Sequence, residues 1–435
     1  MGYKEIYARY RQQIMAGALK PGDKVPAIRV LAEELKVARK TVEAAYAVLI
    51  GEGYLVSQGA KGTRVNPDLV ISRREPAEEP APLADSSLNQ LTGLRDNPGE
   101  MRLGIPSLDE FPLKKWLLIS GKVARSLRPE EMTNQPVTGY APLREAIAGY
   151  LNISRGLDCQ PEQVFITSGY RANLRLILQV LAQPSDKVIF EDPGYFFGQK
   201  LLKRIAPNLH YAPVDRQGIN VDYLLRYHAD ARFLITTPTH HSPLAVTLSL
   251  PRKHQLKSLD HDDRVIYIGT FSKTVMPALR IGYIVMPKET VSRFKELGEI
   301  TETGLSLLPQ KILAQFLSEG HFYKHIKKMR TLYQQRRRLM LDALNRLFPE
   351  TFSYELSDGG MHIVAFLRRG TQDVALAELW QAQQLQVFSL SAWYTQTQKR
   401  YGLIIGYTNI RSEQQAMTLL QRVQQPTLAL LQQAN

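Results

Sequence analysis

The stretch Gly269-Thr-Phe-Ser-Lys-Thr-Val-Met-Pro-Ala-Leu-Arg280 constrains this chain more than any other. Its approach, Arg264-Val-Ile-Tyr-Ile268, is β-branched and apolar and predicts a buried strand. That strand runs out into a turn of small hydroxyl residues carrying one lysine. A lysine at a strand end is ordinarily a solvated surface residue. Here Thr270 and Ser272 flank Lys273, and Arg280 follows where it can return toward the same point. Hydroxyls and a guanidinium together make a phosphate clamp. A lysine beside such a clamp suits a Schiff base with an aldehyde whose phosphate is held next door.

A chain of 435 residues is too long for one small core and suits a large domain plus a small one. The lone cysteine, Cys159, excludes an internal disulfide framework and fits a reducing cytoplasm. The stretch MGYKEIYARYRQQ has no apolar core of a secretory signal, and no apolar run approaches a membrane span. A net charge of +14 points to a polyanionic partner without saying where it binds.

Residues 1–66 predict three short helices and a two-strand wing. Ile6, Tyr10 and Ile14 share one face of the first helix, and Gly17 with Pro21-Gly22 ends it. Pro26 opens a second helix with Ile28, Leu31, Ala32 and Leu35 on one face. The third, from about Ala38 to Ile50, turns Val42, Ala45, Tyr46 and Leu49 inward. Tyr54-Leu-Val-Ser-Gln and Thr63-Arg-Val then flank Gly59-Ala-Lys-Gly62 as a wing. This is a winged helix-turn-helix pattern. The segment carries 11 Lys+Arg against 6 Asp+Glu, which a solvated basic face would also show. Residues 67–98, with Pro67, Pro76, Pro80, Pro82, Pro98 and several glutamates, have no periodicity and predict a flexible linker. The body then runs over 99–435.

Over nearly its whole length the chain resembles the MocR-type regulators of the GntR superfamily, in which a winged helix-turn-helix is fused to a fold-type I aminotransferase-like domain. The lysine segment is similar to the pyridoxal-phosphate lysine motif of that fold. The head resembles the GntR domain in Pro26-Ala-Ile-Arg29, Leu31-Ala32, Val37-Ala-Arg-Lys-Thr-Val42 and Gly59-Ala-Lys-Gly62. The resemblance implies an α/β body with a mainly parallel sheet and a small C-terminal α+β subdomain. It also implies that the third helix enters the major groove of a double-stranded DNA operator, with Arg39, Lys40 and Thr41 on base edges or phosphates. Arg29 is then expected on the phosphate backbone, and Lys61 at the wing tip on the minor groove or its phosphates.

In the body, Leu103-Gly-Ile-Pro-Ser-Leu-Asp-Glu-Phe-Pro112 with Trp116 resembles the family's opening, with Ser107 where an aspartate is common. Thr138-Gly-Tyr-Ala-Pro-Leu-Arg144 is similar to the turn that closes over the cofactor. Val164-Phe-Ile-Thr167 predicts a strand, followed by Ser168-Gly-Tyr-Arg171 opening an apolar helix. A glycine turn at a helix N-terminus offers backbone N–H groups to an anion, so Gly169, Tyr170 and Arg171 are the expected phosphate cup with Thr270, Ser272 and Arg280. Asp192-Pro-Gly-Tyr195 resembles the family's "EDPGY", which implies Tyr195 at the cofactor face. In Pro238-Thr-His-His-Ser-Pro243, His240 matches the family's histidine, and Ser242 stands where an asparagine often meets the cofactor's phenolic oxygen. No further ligands cluster by the two histidines, so no metal site is expected. The basic run around Arg336-Arg-Arg338 is expected to be a solvated helix face. Arg400 lies roughly where the fold keeps an arginine for a ligand carboxylate.

One departure is sharp. Between Pro251 and Val265 only a short stretch precedes the lysine strand. Relatives place a helix and a strand there, and that strand ends in an aspartate that pairs with the pyridinium nitrogen. Asp260, Asp262 and Asp263 look like loop residues and are not assigned that role. Loss of one βα unit from a parallel sheet should leave unpaired backbone on both sides. Two explanations are open: the chain lacks the unit and its neighbouring strands re-pair, or the written sequence omits a stretch of the protein.

The reading is a DNA-binding transcriptional regulator, expected to be a cytoplasmic homodimer, that holds pyridoxal 5'-phosphate through Lys273 and uses it as effector. Whether an amino compound joins the cofactor stays open. The rivals are an active aminotransferase with a DNA-binding head and a regulator that has lost the cofactor. Transamination needs a protonated ring nitrogen to drain charge, whereas covalent attachment needs only Lys273 and the phosphate clamp.

Overall fold

Apolar residues three and four apart draw the first helix of the head. Ile6, Tyr10 and Ile14 lie along one side of α1 (Tyr3–Met15) and are all buried. α2 (Ile28–Glu34) buries Leu31 and Ala32, and α3 (Arg39–Gly51) buries Val42, Ala45, Tyr46 and Leu49. The Tyr10 and Tyr46 rings meet edge-on at 5.7 Å, a contact of about 0.5–1.5 kcal/mol beyond its buried area. The Tyr46 hydroxyl donates to the Pro26 carbonyl at 2.9 Å and ties α3 to the turn before α2. β1 (Leu55–Ser57) and β2 (Thr63–Val65) pair antiparallel with Leu55 opposite Val65, which forms the wing.

The computed structural model describes residues 1–69, 99–133, 135–258, 265–301, 304–355 and 359–432. The chain divides into two units, Met1–Gln90 and Leu91–Asn435. Residues 70–98 of the expected linker lie outside the described residues, as do Asp260, Asp262 and Asp263.

The larger unit begins with α4 (Leu113–Arg125) and α5 (Ala141–Arg155). β3 (Val164–Thr167) leads into α6 (Tyr170–Leu181), and β4 (Val188–Asp192) into α7 (Phe196–Ile205). β5 (Leu209–Asp215), β6 (Gly218–Ile219), α8 (Val221–Tyr227) and β7 (Phe233–Ile235) follow. Then come α9 (Leu250–Ser258), β8 (Tyr267–Thr270) and β9 (Gly282–Val285). α10 (Val291–Thr301), α11 (Leu307–Ser318) and the 27-residue α12 (His321–Leu347) lead to the small subdomain. There β10 (Phe352–Tyr354), β11 (His362–Leu367), α13 (Asp373–Ala382), β12 (Phe388–Ser389), β13 (Gly402–Gly406) and α14 (Glu413–Gln432) complete the chain. Its four strands form one antiparallel sheet in the order β10-β11-β13-β12. α12 joins two cores: Phe322 packs with Phe271 and Trp116, whereas Met340, Leu344 and Leu347 pack with Trp380 and Leu403.

The large domain holds two sheets rather than one. β4 is parallel to both β5 and β7, in the order β6-β5-β4-β7, and a second sheet runs β3-β9-β8. β8 and β3 both pair antiparallel with β9. Among the described residues, β7 is thus paired on one side only, and so is β8. Of the two open explanations, re-pairing of the flanking strands is not seen among the described residues. Ile235 of β7 and Ile268 of β8 both pack on the core under α6, with Leu174, Leu178 and Phe190. That anchorage, with pairing to β4 and β9, holds each strand where it stands. Burial shows the result: every residue of β3, β4 and β9 is buried, while every residue of β7 and β8 is only half-buried. α9, which falls in the shortened stretch, has no buried residue at all.

Candidate functional site

Lys273 sits three residues beyond the end of β8, at the mouth of the opened sheet. Its exposed side chain donates from Nζ to the Gly104 carbonyl at 2.5 Å. Behind it the turn is closed by hydroxyls, with Thr270 Oγ1 donating to Ser272 Oγ at 3.1 Å and accepting from the Ser272 N–H at 3.2 Å.

The three parts of the expected phosphate cup converge. Gly169 caps α6 with φ of 114°, a conformation that favours glycine. A Cβ placed there would stand 3.5 Å from Arg280 Nη2 and 4.0 Å from Thr270 Oγ1. Arg280 in turn donates to the Ser168 carbonyl at 2.9 Å. A helix N-terminus, a hydroxyl and a guanidinium therefore frame one small space that a side chain would fill. Those residues suit a phosphate. The Arg171 guanidinium lies over the Phe197 ring, 5.5 Å from its centroid. Tyr170 and Tyr195 meet edge-to-face at 5.5 Å, which sets the orientation of the Tyr195 ring next to the cup.

Asn173, unremarked in the sequence as part of an apolar helix, is fully buried behind the cup. It donates to the Tyr283 carbonyl at 3.2 Å and the Gly269 carbonyl at 3.4 Å, locking α6 to the end of β8. Asp192, also fully buried, accepts from the backbone N–H groups of Thr395, Gln396 and Thr397 at 2.7–2.8 Å. These bonds fix the small subdomain to the end of β4.

The loop after β7 places its residues differently from one another. His240 is exposed and lies against Gly359, with φ of 52°, and Ser242 is half-buried. His241, between them, is buried with Glu191. Glu191 accepts from Thr236 Oγ1 and from the Thr237 N–H, each at 2.6 Å. His362 is another buried histidine, bonded through Nε2 to the Pro243 carbonyl at 2.6 Å. Burial holds it down to about 4, so it is neutral at physiological pH. Sequence reasoning assigned neither His241 nor His362. The paired histidines in the motif were a usable signal for the first, and nothing local marked the second.

Arg400 is already engaged. Its guanidinium holds Glu355 by two bonds of 2.6 and 3.1 Å and lies 3.7 Å from the Phe366 ring centroid. Arg216 reaches the same carboxylate at 2.9 Å.

For the ring nitrogen of a pyridine cofactor, the gap between β7 and β8 supplies no acid among the described residues. Glu191, at the end of β4, spends its oxygens on Thr236, Thr237 and His241.

In the head, Arg39 and Lys40 are exposed on the first turn of α3, with Thr41 half-buried behind them. Lys61 is exposed at the wing turn. Arg29 is exposed and paired with Glu33 at 3.3 Å.

Two families match the chain. Bacterial regulatory proteins of the gntR family match residues 2–65, and aminotransferase class I and II matches residues 107–260 and 245–402. The second match comes in two pieces that overlap over 245–260, between β7 and β8. The chain is 32% identical to "Probable rhizopine catabolism regulatory protein MocR" of Rhizobium meliloti, over 94% of this chain and 90% of that protein. That alignment spans 446 residues, more than the 435 of this chain, so the relative has residues without a counterpart here. The HTH-type pyridoxine biosynthesis transcriptional regulator PdxR of Corynebacterium glutamicum is 27% identical, over 93% of this chain and 91% of that protein. Among solved structures, the kynurenine aminotransferase of Pyrococcus horikoshii superposes with a TM-score of 0.72 at 22% identity, covering 80% of this chain and 95% of that one. This last likeness concerns the fold.

Proposed function

We propose, since the chain belongs to the MocR-type regulators of the GntR family, that it is a transcriptional regulator which binds pyridoxal 5'-phosphate covalently through Lys273. The observation that carries this reading is the convergence of Gly169, Thr270 and Arg280 on one cradle beside the lysine turn. Gly169, Tyr170, Arg171, Thr270, Ser272 and Arg280 would hold the phosphate, and Tyr195 would stack on the ring. His240 and Ser242 border the ring's other side in this reading. The cofactor supplies an aldehyde to the Lys273 amine and an electron-poor ring.

The head would bind operator DNA through Arg29, Arg39, Lys40, Thr41 and Lys61, and a homodimer would present two heads to two half-sites. Sedimentation at micromolar concentration checks the dimer, and a monomer would count against it. An amino compound could reach Lys273 from its exposed side. A carboxylate on that compound would have to displace Glu355 to use Arg400.

No acid among the described residues stands open to the ring nitrogen, which favours sensing over turnover. The test is direct. Protein mixed with pyridoxal phosphate should develop the absorbance of a Schiff base, and borohydride should fix the added mass on Lys273. A Lys273→Ala protein that keeps the absorbance would overturn the assignment.

A further inference from the structure

Arg336 belongs to the basic run of α12, yet it is 4% exposed. It lies on the same side of α12 as the buried residues Phe322, His325, Met329, Met340 and Leu347. Its Nη1 donates to Ser107 Oγ at 2.5 Å and to the Thr408 carbonyl. Its Nη2 stands 3.7 Å from Asp109 and 3.9 Å from Glu110. The same segment is held by the Ser107 N–H donating to Tyr333 at 3.0 Å and by Thr408 Oγ1 donating to the Ile105 carbonyl at 2.5 Å. A buried guanidinium is costly to strand and strongly directional when satisfied. This one fixes residues 104–110 against α12 and the end of β13.

The fixed segment presents the Gly104 carbonyl to Lys273 Nζ at 2.5 Å. Gly104 has φ of 67°, and a Cβ on it would overlap the lysine amine. A side chain there would push the flexible lysine amine away from that carbonyl. We propose that the Gly104 carbonyl, positioned by Arg336, competes with the cofactor's aldehyde for the nitrogen of Lys273. The proposal rests on the covalent reading given above. One nitrogen cannot serve both partners. Attachment requires the amine to leave the carbonyl and lose any extra proton to water. The neutral amine then adds to the aldehyde carbon and the aldehyde oxygen departs as water, leaving a C=N bond. Gly104 and Arg336 are positioning groups that set how readily the cofactor is taken up and released.

The experiment titrates pyridoxal phosphate into wild type, Gly104→Ala, Arg336→Met and Arg336→Lys, traps with borohydride and quantifies the mass on Lys273. Removing an exposed hydrogen bond that holds the free amine should lower the half-saturating concentration by about threefold to tenfold in Gly104→Ala. Arg336→Met should shift the same way, and Arg336→Lys should recover part of the wild-type value. Wild type also carries a readout that needs no variant. Amide hydrogen exchange in residues 104–108 should rise once Lys273 is loaded. Equal or higher half-saturation in Gly104→Ala and Arg336→Met, or unchanged exchange in loaded wild type, overturns the competition while the covalent reading stands. Absence of any adduct on Lys273 overturns both.

Discussion

His241 and Glu191 face each other in the interior, with ring Nε2 3.4 Å from a carboxylate oxygen and side chains only 1% and 2% exposed. Burial alone would push the Glu191 carboxyl up. Attraction to the neighbouring His241 ring, with hydrogen bonds from the Thr236 hydroxyl and the Thr237 N–H, outweighs burial and holds it below its usual value. Removing the ring takes a favourable neighbour from a buried carboxylate that keeps its Thr236 and Thr237 bonds, so His241→Ala should destabilise the body by about 1–3 kcal/mol. Chemical denaturation at neutral pH measures it.

Acid sensitivity follows from the same neighbourhood. His362 has its folded value pushed down to about 4 from 6.5 by burial. The unfolded chain therefore takes a proton first, and stability falls as pH drops from about 6.5 toward 4, by roughly 3 kcal/mol from this residue. Glu191, also depressed in the folded state, adds a further loss as pH falls below its unfolded value and through its folded one. His362→Gln keeps a donor for the Pro243 carbonyl but cannot titrate. Its stability should be markedly flatter between pH 6.5 and 4, and a slope equal to wild type would contradict the assignment.

Lys40 is exposed at the start of α3 and is expected on a phosphate or base edge. Lys40→Ala should weaken operator binding and, if it loses one phosphate, reduce the salt slope of log K by about 0.9. Fluorescence anisotropy at several salt concentrations reads both quantities. A body beginning at Gly99 that binds operator as tightly as the full chain would remove DNA binding from the head.

The chain should not sustain rapid transamination. β7 and β8 flank an unfilled position, and no described carboxylate there is open to a ring nitrogen. Loss of a charge-assisted partner of about 1.5–3 kcal/mol predicts a deficit of at least roughly tenfold in rate. Pyridoxamine phosphate formation, followed with a panel of amino acids, should stay well below about 1 per second. Turnover at or above that rate would reveal another acid.

The sequence by itself determined whatever depends on local spacing. The head helices follow from apolar residues three and four apart, and the buried faces of α1 and α3 are the residues that spacing selects. The lysine turn and the Gly169 helix start were legible because hydroxyls and glycine have short-range conformational roles. The shortened stretch before Val265 was legible as well. Tertiary structure alone decided that β7 and β8 remain apart, because packing of Ile235 and Ile268 on the core under α6 involves residues distant in the chain. It also decided partners. Arg400 is held by Glu355 and Asp192 by the backbone of 395–397, neither of which a linear pattern encodes. Arg336 lies between these cases. Its place on the buried side of α12 was written in the spacing, but its meaning was not, since charge argues for solvent until folding brings Ser107, Asp109 and the Thr408 carbonyl to the guanidinium.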